Sequence, residues 1–425
     1  MNPRIKRLIV STPQGESGAL ERESRYIFNY ATGDRACEVS LTMPIRAESY
    51  ASGAMLPVFA MNRPEGWLYQ QIVERMAKHE HIDDMKLLSI VGSNQIGRLV
   101  FALPGETRSR PQPQVGLHDL LRREPTQALF NFLVDVYFES GISGVQPKVM
   151  IPDAEKPLDH RATVVHSNLI VKSGGDEYPF LMQNEFLCMD AARRAGIKAP
   201  NFWLSNDGGL FVMERFDLDG GGPMGFEDMA VLTGKTPDPQ GNYKYQGSYE
   251  TIAKAIQAFC RDGEGLASRQ RFFEYVALSV MVRNGDAHLK NFGLLYEYPT
   301  ASASPMLAPL YDVVTTTAYE HTDHRTGRTM VDRTLALKLN GAKIYPLRNE
   351  LLRFGADICH VRHPEQVIDR IAAAMTDTLT ANRSRIDAKF LQRLTREWDE
   401  GRLSVEPERL FSARPDFNDD SAHEP

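Results

Sequence analysis

The stretch RNGDAHLKNFGLLY, Arg283 to Tyr296, governs how the rest of the chain is read. It closes an apolar run with helical character, RQRFFEYVALSVMVRNG, and carries Asp286 and Asn291 in the spacing D-x-x-x-x-N. Further on, LAPLYDVV places Asp312 after an apolar stretch. Phosphoryl transfer needs a group that takes a hydroxyl proton and oxygen ligands that hold magnesium. An Asp, an Asn five residues later and a second Asp supply that set. Carboxylate and amide oxygens are hard ligands that suit Mg2+. Taken alone, the motif is common and reads more readily as an Asp–Asn turn between a helix and a strand.

Residues upstream strengthen the first reading. Lys172 ends the apolar segment LIVK, and Glu185 lies on the helix read after it. A strand lysine held by a helix glutamate is a phosphate-positioning pair, although a surface lysine and a solvated glutamate satisfy the same pattern. Before both comes GISGVQPK, Gly141 to Lys148, whose small residues let a phosphate approach backbone N–H groups while Lys148 adds charge. It is not a Walker A loop, which needs GxxxxGK[ST]. The chain order is loop, strand lysine, helix glutamate, hairpin, helical lobe, D-x-x-x-x-N, Asp, and that joint order carries more weight than any single piece.

The whole chain has 425 residues, 42% of them hydrophobic and 24% charged. That is ordinary globular composition for two or three domains or lobes and excludes fibrous or wholly disordered material. Lys and Arg number 49 against 55 Asp and Glu, a net charge of −6, which disfavours a chain that grips DNA by itself. Cys37, Cys188, Cys260 and Cys359 lie far apart with no CxxC pair, fitting neither a zinc site nor a disulfide framework and suggesting a reducing compartment. The N-terminus has only a three-residue apolar run, and no segment approaches the roughly 20 apolar residues of a membrane span. A cytoplasmic protein with no membrane contact is expected.

Residues 1–60 read as short strands and turns, with Tyr26, Phe28 and Tyr30 alternating. Trp67 to Leu88 reads as one helix, and RSRPQPQ, residues 108–114, as a linker. ATVVHSNLIVKS reads as a strand ending at Lys172, and a helix follows from about Leu181 to a stop at Gly196. A hairpin is read around Asp207, Gly208 and Gly209. Residues 217–248 read as loop with one helical turn, then come helices ended by Gly263 and Gly285, and more helix over 364–400. The expected class is α+β: a mixed α/β lobe, a mostly helical lobe and an added N-terminal subdomain. The boundaries fall at 1–110, 111–215 and 216–412, with an acidic disordered tail at 413–425.

The segments GISGVQPK, IVKS, NEFLCMDAARRAGI, VMERFD, DMAVLTG, NGDAHLKNFGLL, LAPLYDVV and LALKLNGAK together resemble the HipA-type serine/threonine kinases, the toxins of bacterial HipA–HipB toxin–antitoxin modules. The resemblance runs over nearly the whole length, including an N-terminal subdomain ending near GSNQIGRLVFALP. It implies a two-lobed protein-kinase-like fold, ATP and Mg2+ as cofactors, and a HipB-like antitoxin through which alone DNA is reached. It further implies a protein substrate such as an aminoacyl-tRNA synthetase, glutamyl-tRNA synthetase being the known case.

Residue by residue, the resemblance makes Asp286 the catalytic Asp and Asn291 and Asp312 the Mg2+ ligands. Lys172 contacts the phosphates and Glu185 orients it. Ser143, Gly144, Val145, Gln146 and Lys148 cover the phosphates, and Glu214, Arg215 and Phe216 form the hinge beside adenine. His288 and Lys290 lie in the catalytic loop and Tyr311 precedes the metal Asp. The chain departs from the general kinase pattern in having no HRD and no DFG, as this family does. Where better-known members carry a self-modified serine this chain has Gly141, so Ser143 is the favoured autophosphorylation site and Ser140 a further candidate. The alternative reading is a catalytically silent kinase fold acting as co-repressor with a DNA-binding antitoxin. A small-molecule or lipid kinase is a third.

Nothing else in the sequence competes. The histidines show no HExxH or Cys/His metal spacing and the serines no GxSxG elbow. Trp67, Trp203 and Trp398 read as core, and the basic clusters as solvated linker and helix charge.

Overall fold

The computed structural model describes residues 4–63, 69, 72–73, 81–92, 95–106, 117–122, 162–166, 168–174, 178–220, 222–238, 241–322 and 329–407. The phosphate-loop residues 141–148, with Ser140, and the 413–425 tail lie outside them.

The N-terminal part is one antiparallel sheet in the order β4-β3-β2-β1-β5. Its strands are β1 (Arg7–Thr12), β2 (Gly15–Arg22), β3 (Tyr26–Tyr30), β4 (Tyr50–Ser52) and β5 (Val100–Ala102). In β3 the period of two turns Tyr26 and Phe28 inward and leaves Asn29 exposed. Leu8, Val10, Leu20, Phe28, Phe59 and Phe101 fill the core beneath. Helix α1 (Asp84–Val91) packs on this sheet, its start fixed by the Asp83 carboxylate accepting from the Lys86 N–H at 3.0 Å. The single helix expected over Trp67–Leu88 is therefore wrong at its C-terminal end. Asp83 is extended, as an N-capping residue is, and the helix starts only after it.

The middle part is a second antiparallel sheet, β6-β7-β9-β8, from β6 (Ala162–His166), β7 (Leu169–Ser173), β8 (Phe202–Leu204) and β9 (Leu210–Glu214). ATVVHSNLIVKS is thus two strands, with His166 opposite Leu169. Asn168 stands in the turn between the two strands, a polar break in an otherwise apolar stretch that a reading of overall apolarity overlooks. Every residue of β7 is buried, as its unbroken apolar run requires. Helix α2 (Leu181–Arg194) packs against β8 and β9 and buries all residues from Leu181 to Ala192. The β8–β9 hairpin turns at Asp207–Gly209, with Gly208 at φ +74°.

The third part is mostly helical: α3 (Tyr249–Phe259), α4 (Asp262–Met281), α5 (Pro364–Ala381) and α6 (Ala388–Leu403). Ser248 caps α3 by accepting from the Thr251 N–H. α3 stops at Phe259, earlier than the expected Gly263, which instead sits in the first turn of α4. Residues 217–248 hold more than a loop. A two-residue hairpin, β10 (Leu218–Asp219) and β11 (Gly222–Pro223), precedes β12 (Gly225–Asp228), which pairs with β13 (Gly293–Tyr296), and that with β14 (Met306–Leu307). The partner of β12 lies far along the chain, so no local pattern announces it. Its Gly225 is required because a Cβ there would fall 2.2 Å from the Tyr296 ring. A four-residue helix, Met229–Leu232, follows on an Asp228 cap, and a short 3-10 turn, Asn242–Tyr245, comes after it. Together the parts form an α+β, two-lobed structure with the N-terminal sheet added.

Buried polar contacts tie that N-terminal part to the body at two joints. Glu227, fully buried on β12, accepts from Ser40 Oγ (2.6 Å), the Leu41 N–H (2.7 Å) and Tyr296 OH (2.7 Å). Asp217 accepts from the Gly97 N–H at 2.7 Å. Cys37, Cys188, Cys260 and Cys359 are buried and unpaired. Among the described residues no helix is long and apolar enough to cross a membrane.

Candidate active site

Lys172 sits on β7 between Thr163 of β6 and Phe211 of β9, so its backbone is held by strand ladders on both sides. Glu185 projects from the first turns of α2. The Lys172 Nζ lies 2.5 Å from Glu185 Oε1 and 2.7 Å from Asp312 Oδ1. Glu185 is wholly buried and the Lys172 side chain is 6% exposed, whereas the Asp312 side chain is 24% exposed. A buried carboxylate without a cation would be severely penalised, and the Lys172–Glu185 contact offsets that cost.

Asp312 has φ +63°, a left-handed conformation that non-glycine residues rarely adopt. It is held from behind. Asn184 of α2 donates through Nδ2 to the Thr315 carbonyl (3.0 Å) and accepts from the Thr315 N–H (2.9 Å). Trp398 of α6 donates from Nε1 to Thr315 Oγ1 at 2.8 Å. The helix that brings Glu185 therefore also pins the segment that brings Asp312.

The loop after α4 presents Asp286. Arg283 takes φ +59°, and Asn284, buried, accepts from the Asp286 N–H at 3.0 Å. Gly285 is required here, since a Cβ would lie 2.6 Å from the Thr334 carbonyl oxygen; its N–H donates to Thr316 Oγ1 at 2.7 Å. Asp286 Oδ1 accepts from Tyr245 OH at 2.8 Å. Asn291 donates through Nδ2 to Asp312 Oδ2 (2.6 Å), and its Oδ1 accepts from the His288 N–H (3.2 Å). His288 is buried edge-on to Tyr245, and burial pulls its imidazole down to about 4. Its Nδ1 has no partner among the described residues.

The structure thus brings Lys172, Glu185, Asn291 and Asp312 into one hydrogen-bonded set, with Asp286 on the same loop as Asn291. Phe216 stacks on Tyr311, rings 4.9 Å apart and 10° from parallel, and Tyr311 OH donates to the Lys290 carbonyl at 2.9 Å. Arg215 turns elsewhere. Its guanidinium is buried against Asp217 (Nε–Oδ1 3.0 Å, Nη2–Oδ2 2.6 Å) and the Gln95 carbonyl (2.6 Å), while Glu214 accepts from Asn201 at 2.8 Å. Ser143, Gly144, Val145, Gln146 and Lys148 lie outside the described residues. Sequence reasoning missed Asn184, Asn284, Tyr245, Thr315 and Trp398. Asn284 adjoins the motif and was within reach; the others act across long separations that leave no local signal.

The oxygen set fits magnesium in kind. One carboxylate and one amide are few ligands, and Mg2+ is commonly held by one or two protein groups with phosphates and water completing its shell. Among the described residues no group of three or more His, Cys, Asp or Glu side chains forms a metal site, so a closed all-protein cage is absent there.

Fold and site define a two-lobed, kinase-like architecture with an N-terminal sheet. Residues 140–381 match the model of the HipA-like C-terminal domain and residues 8–102 that of the HipA N-terminal domain. The chain belongs to the HipA family. A Haemophilus influenzae protein described as a putative kinase is 30% identical over 195 residues, 42% of this chain and 53% of the relative. Y4mE of Sinorhizobium fredii, also described as a putative kinase, is 27% identical over 308 residues, 66% of this chain and 69% of that one. The match thus spans about half the length of the first relative. Among solved structures, HipA of the Shewanella oneidensis MR-1 toxin–antitoxin system, in complex with HipB and its operator DNA, superposes with TM-score 0.63 at 15% identity. It covers 94% of this chain and 96% of that chain.

Proposed function

We propose that this chain is an ATP-dependent protein serine/threonine kinase, the toxin of a module whose antitoxin is HipB-like. The observation that carries the reading is the Lys172 ammonium bridging Glu185 and Asp312, 2.5 and 2.7 Å away, with Asn291 on the other Asp312 oxygen. Family membership and relatives described as putative kinases support it. Lys172, fixed by Glu185, holds the nucleotide phosphates. Asp286 orients the acceptor hydroxyl and takes its proton as the acceptor oxygen bonds to the γ-phosphorus and the bridging bond to ADP breaks. Asp312 and Asn291 would hold Mg2+, whose charge would offset that of the phosphates. Phe216 and Tyr311 form an aromatic wall suited to a base.

The resemblance that introduced the family also supports a translation component such as an aminoacyl-tRNA synthetase as target, growth arrest as outcome, and Ser143 as a self-modified hydroxyl. Purified protein incubated with Mg-ATP and analysed by mass spectrometry should carry phosphate on Ser143. Phosphate confined to other residues removes that site from the proposal. Asp286→Gln replaces the carboxylate by a neutral amide on a side chain one methylene longer, so radiolabelled transfer should fall about 100-fold or more. Near wild-type transfer by the folded variant would sink the assignment of Asp286.

A further inference from the structure

The Tyr245 contact has no part in the mechanism just proposed. An acceptor must bring its hydroxyl within about 2.6–3.2 Å of the group that takes its proton. Tyr245 OH already donates to Asp286 Oδ1 at 2.8 Å. The phenol belongs to the short turn Asn242–Tyr245, whose start is tied to Asp238 through the Asn242 and Tyr243 N–H groups at 3.1 and 2.6 Å. Its ring leans edge-on against His288, 5.2 Å between centroids, and its carbonyl accepts from Lys343 Nζ at 3.5 Å. The ring is only half-buried, so the hydroxyl can leave Asp286 without opening the core.

At this point a cleft of about 600 Å³ opens, lined in part by Tyr178, Tyr245, Asp286, Thr316, Tyr319 and Glu320. The Tyr178 and Tyr319 rings that line it meet edge-to-face, 5.4 Å between centroids. The cleft is large enough for a short peptide segment, and the phenol stands where such a segment would present its hydroxyl.

We infer that this cleft is the acceptor groove, that it takes a serine- or threonine-bearing segment, and that Tyr245 holds the acceptor-hydroxyl place on Asp286 until that segment displaces it. The inference rests on the proposed role of Asp286. Without an acceptor, the phenol keeps water off the same oxygen, which limits wasteful ATP hydrolysis.

The test uses the full chain with Mg-ATP, following hydrolysis to water and transfer to a degenerate pool of serine peptides. Tyr245→Phe keeps the ring against His288 and frees Oδ1. Hydrolysis should rise about five-fold, the worth of one hydrogen bond, and the peptide KM should fall while the KM for ATP stays unchanged. Tyr245→Leu, with an unfolding midpoint checked beside it, should show the same direction. A lower rate at unchanged KM would make Tyr245 an orienting partner of Asp286 and overturn the inference, as would no gain in hydrolysis. Placing Asp286→Gln in the Tyr245→Phe background should abolish the gain. If Asp286→Gln alone leaves transfer intact, it is the role of Asp286 that fails, a result separable from the Tyr245 outcome.

Discussion

Asp312 and Glu227 show how single residues are held in states they would not choose. A non-glycine residue at φ +63° costs on the order of 1–3 kcal/mol, and such residues persist where surroundings over-determine them. For Asp312 those surroundings are Lys172, Asn291 and the Asn184–Thr315 bonds. Glu227 faces three hydrogen-bond donors that favour the anion, yet burial outweighs them and pushes its carboxyl up to about 7. The folded chain therefore binds a proton that the unfolded chain releases above about 4.5. Stability owed to Glu227 is full below that pH and is lost as pH rises through about 7, a change on the order of 3 kcal/mol. Glu227→Gln, which stays neutral, should lose less stability than wild type between pH 5 and pH 8. Parallel slopes of unfolding midpoint against pH for the two proteins would show that Glu227 does not titrate there.

At the scale of elements, the segment leaving β9 is anchored on two sides. Phe216 lies against Tyr311, next to Asp312, while Arg215 and Asp217 form a buried ion pair that also bonds the Gln95 carbonyl and the Gly97 N–H of the N-terminal part. Both charged side chains are at most 1% exposed, so removing one takes from the other a close, buried counter-charge. Asp217→Asn should cost about 3–5 kcal/mol in urea unfolding, and Arg215→Met added to it should recover part of the loss. A cost under about 1 kcal/mol would mean that Arg215 finds other partners. The same geometry explains why Arg215, read in sequence as part of a nucleotide hinge, spends its side chain on joining two parts of the chain.

For the molecule as a whole, a net charge of −6 opposes unaided binding to a polyanion. Operator DNA should be shifted in gels by this chain only together with a HipB-like partner. Tight binding by the isolated chain at physiological salt would overturn that expectation. Neither joint of the N-terminal sheet, the one at Glu227 nor the one at Asp217, offers a basic surface. Both serve cohesion, placing the sheet against β12 and against the segment that carries Phe216.

The sequence by itself determined the class of fold and the order of its parts, because those depend on local signals. The alternation in β3, the apolar run of β7, the Gly208 turn and the D-x-x-x-x-N spacing are each complete within a few residues. It went wrong where a local signal was ambiguous: the polar break inside ATVVHSNLIVKS, the cap at Asp83, and α3 ending before Gly263. Tertiary structure alone decided which residues meet. Asn184 reaches Thr315, Tyr245 reaches Asp286, β12 pairs with β13 and Arg215 turns to Gln95 across separations of 41 to 131 residues. Such contacts are selected by burial and by the need to satisfy buried polar groups, and neither condition exists until the chain has folded around them.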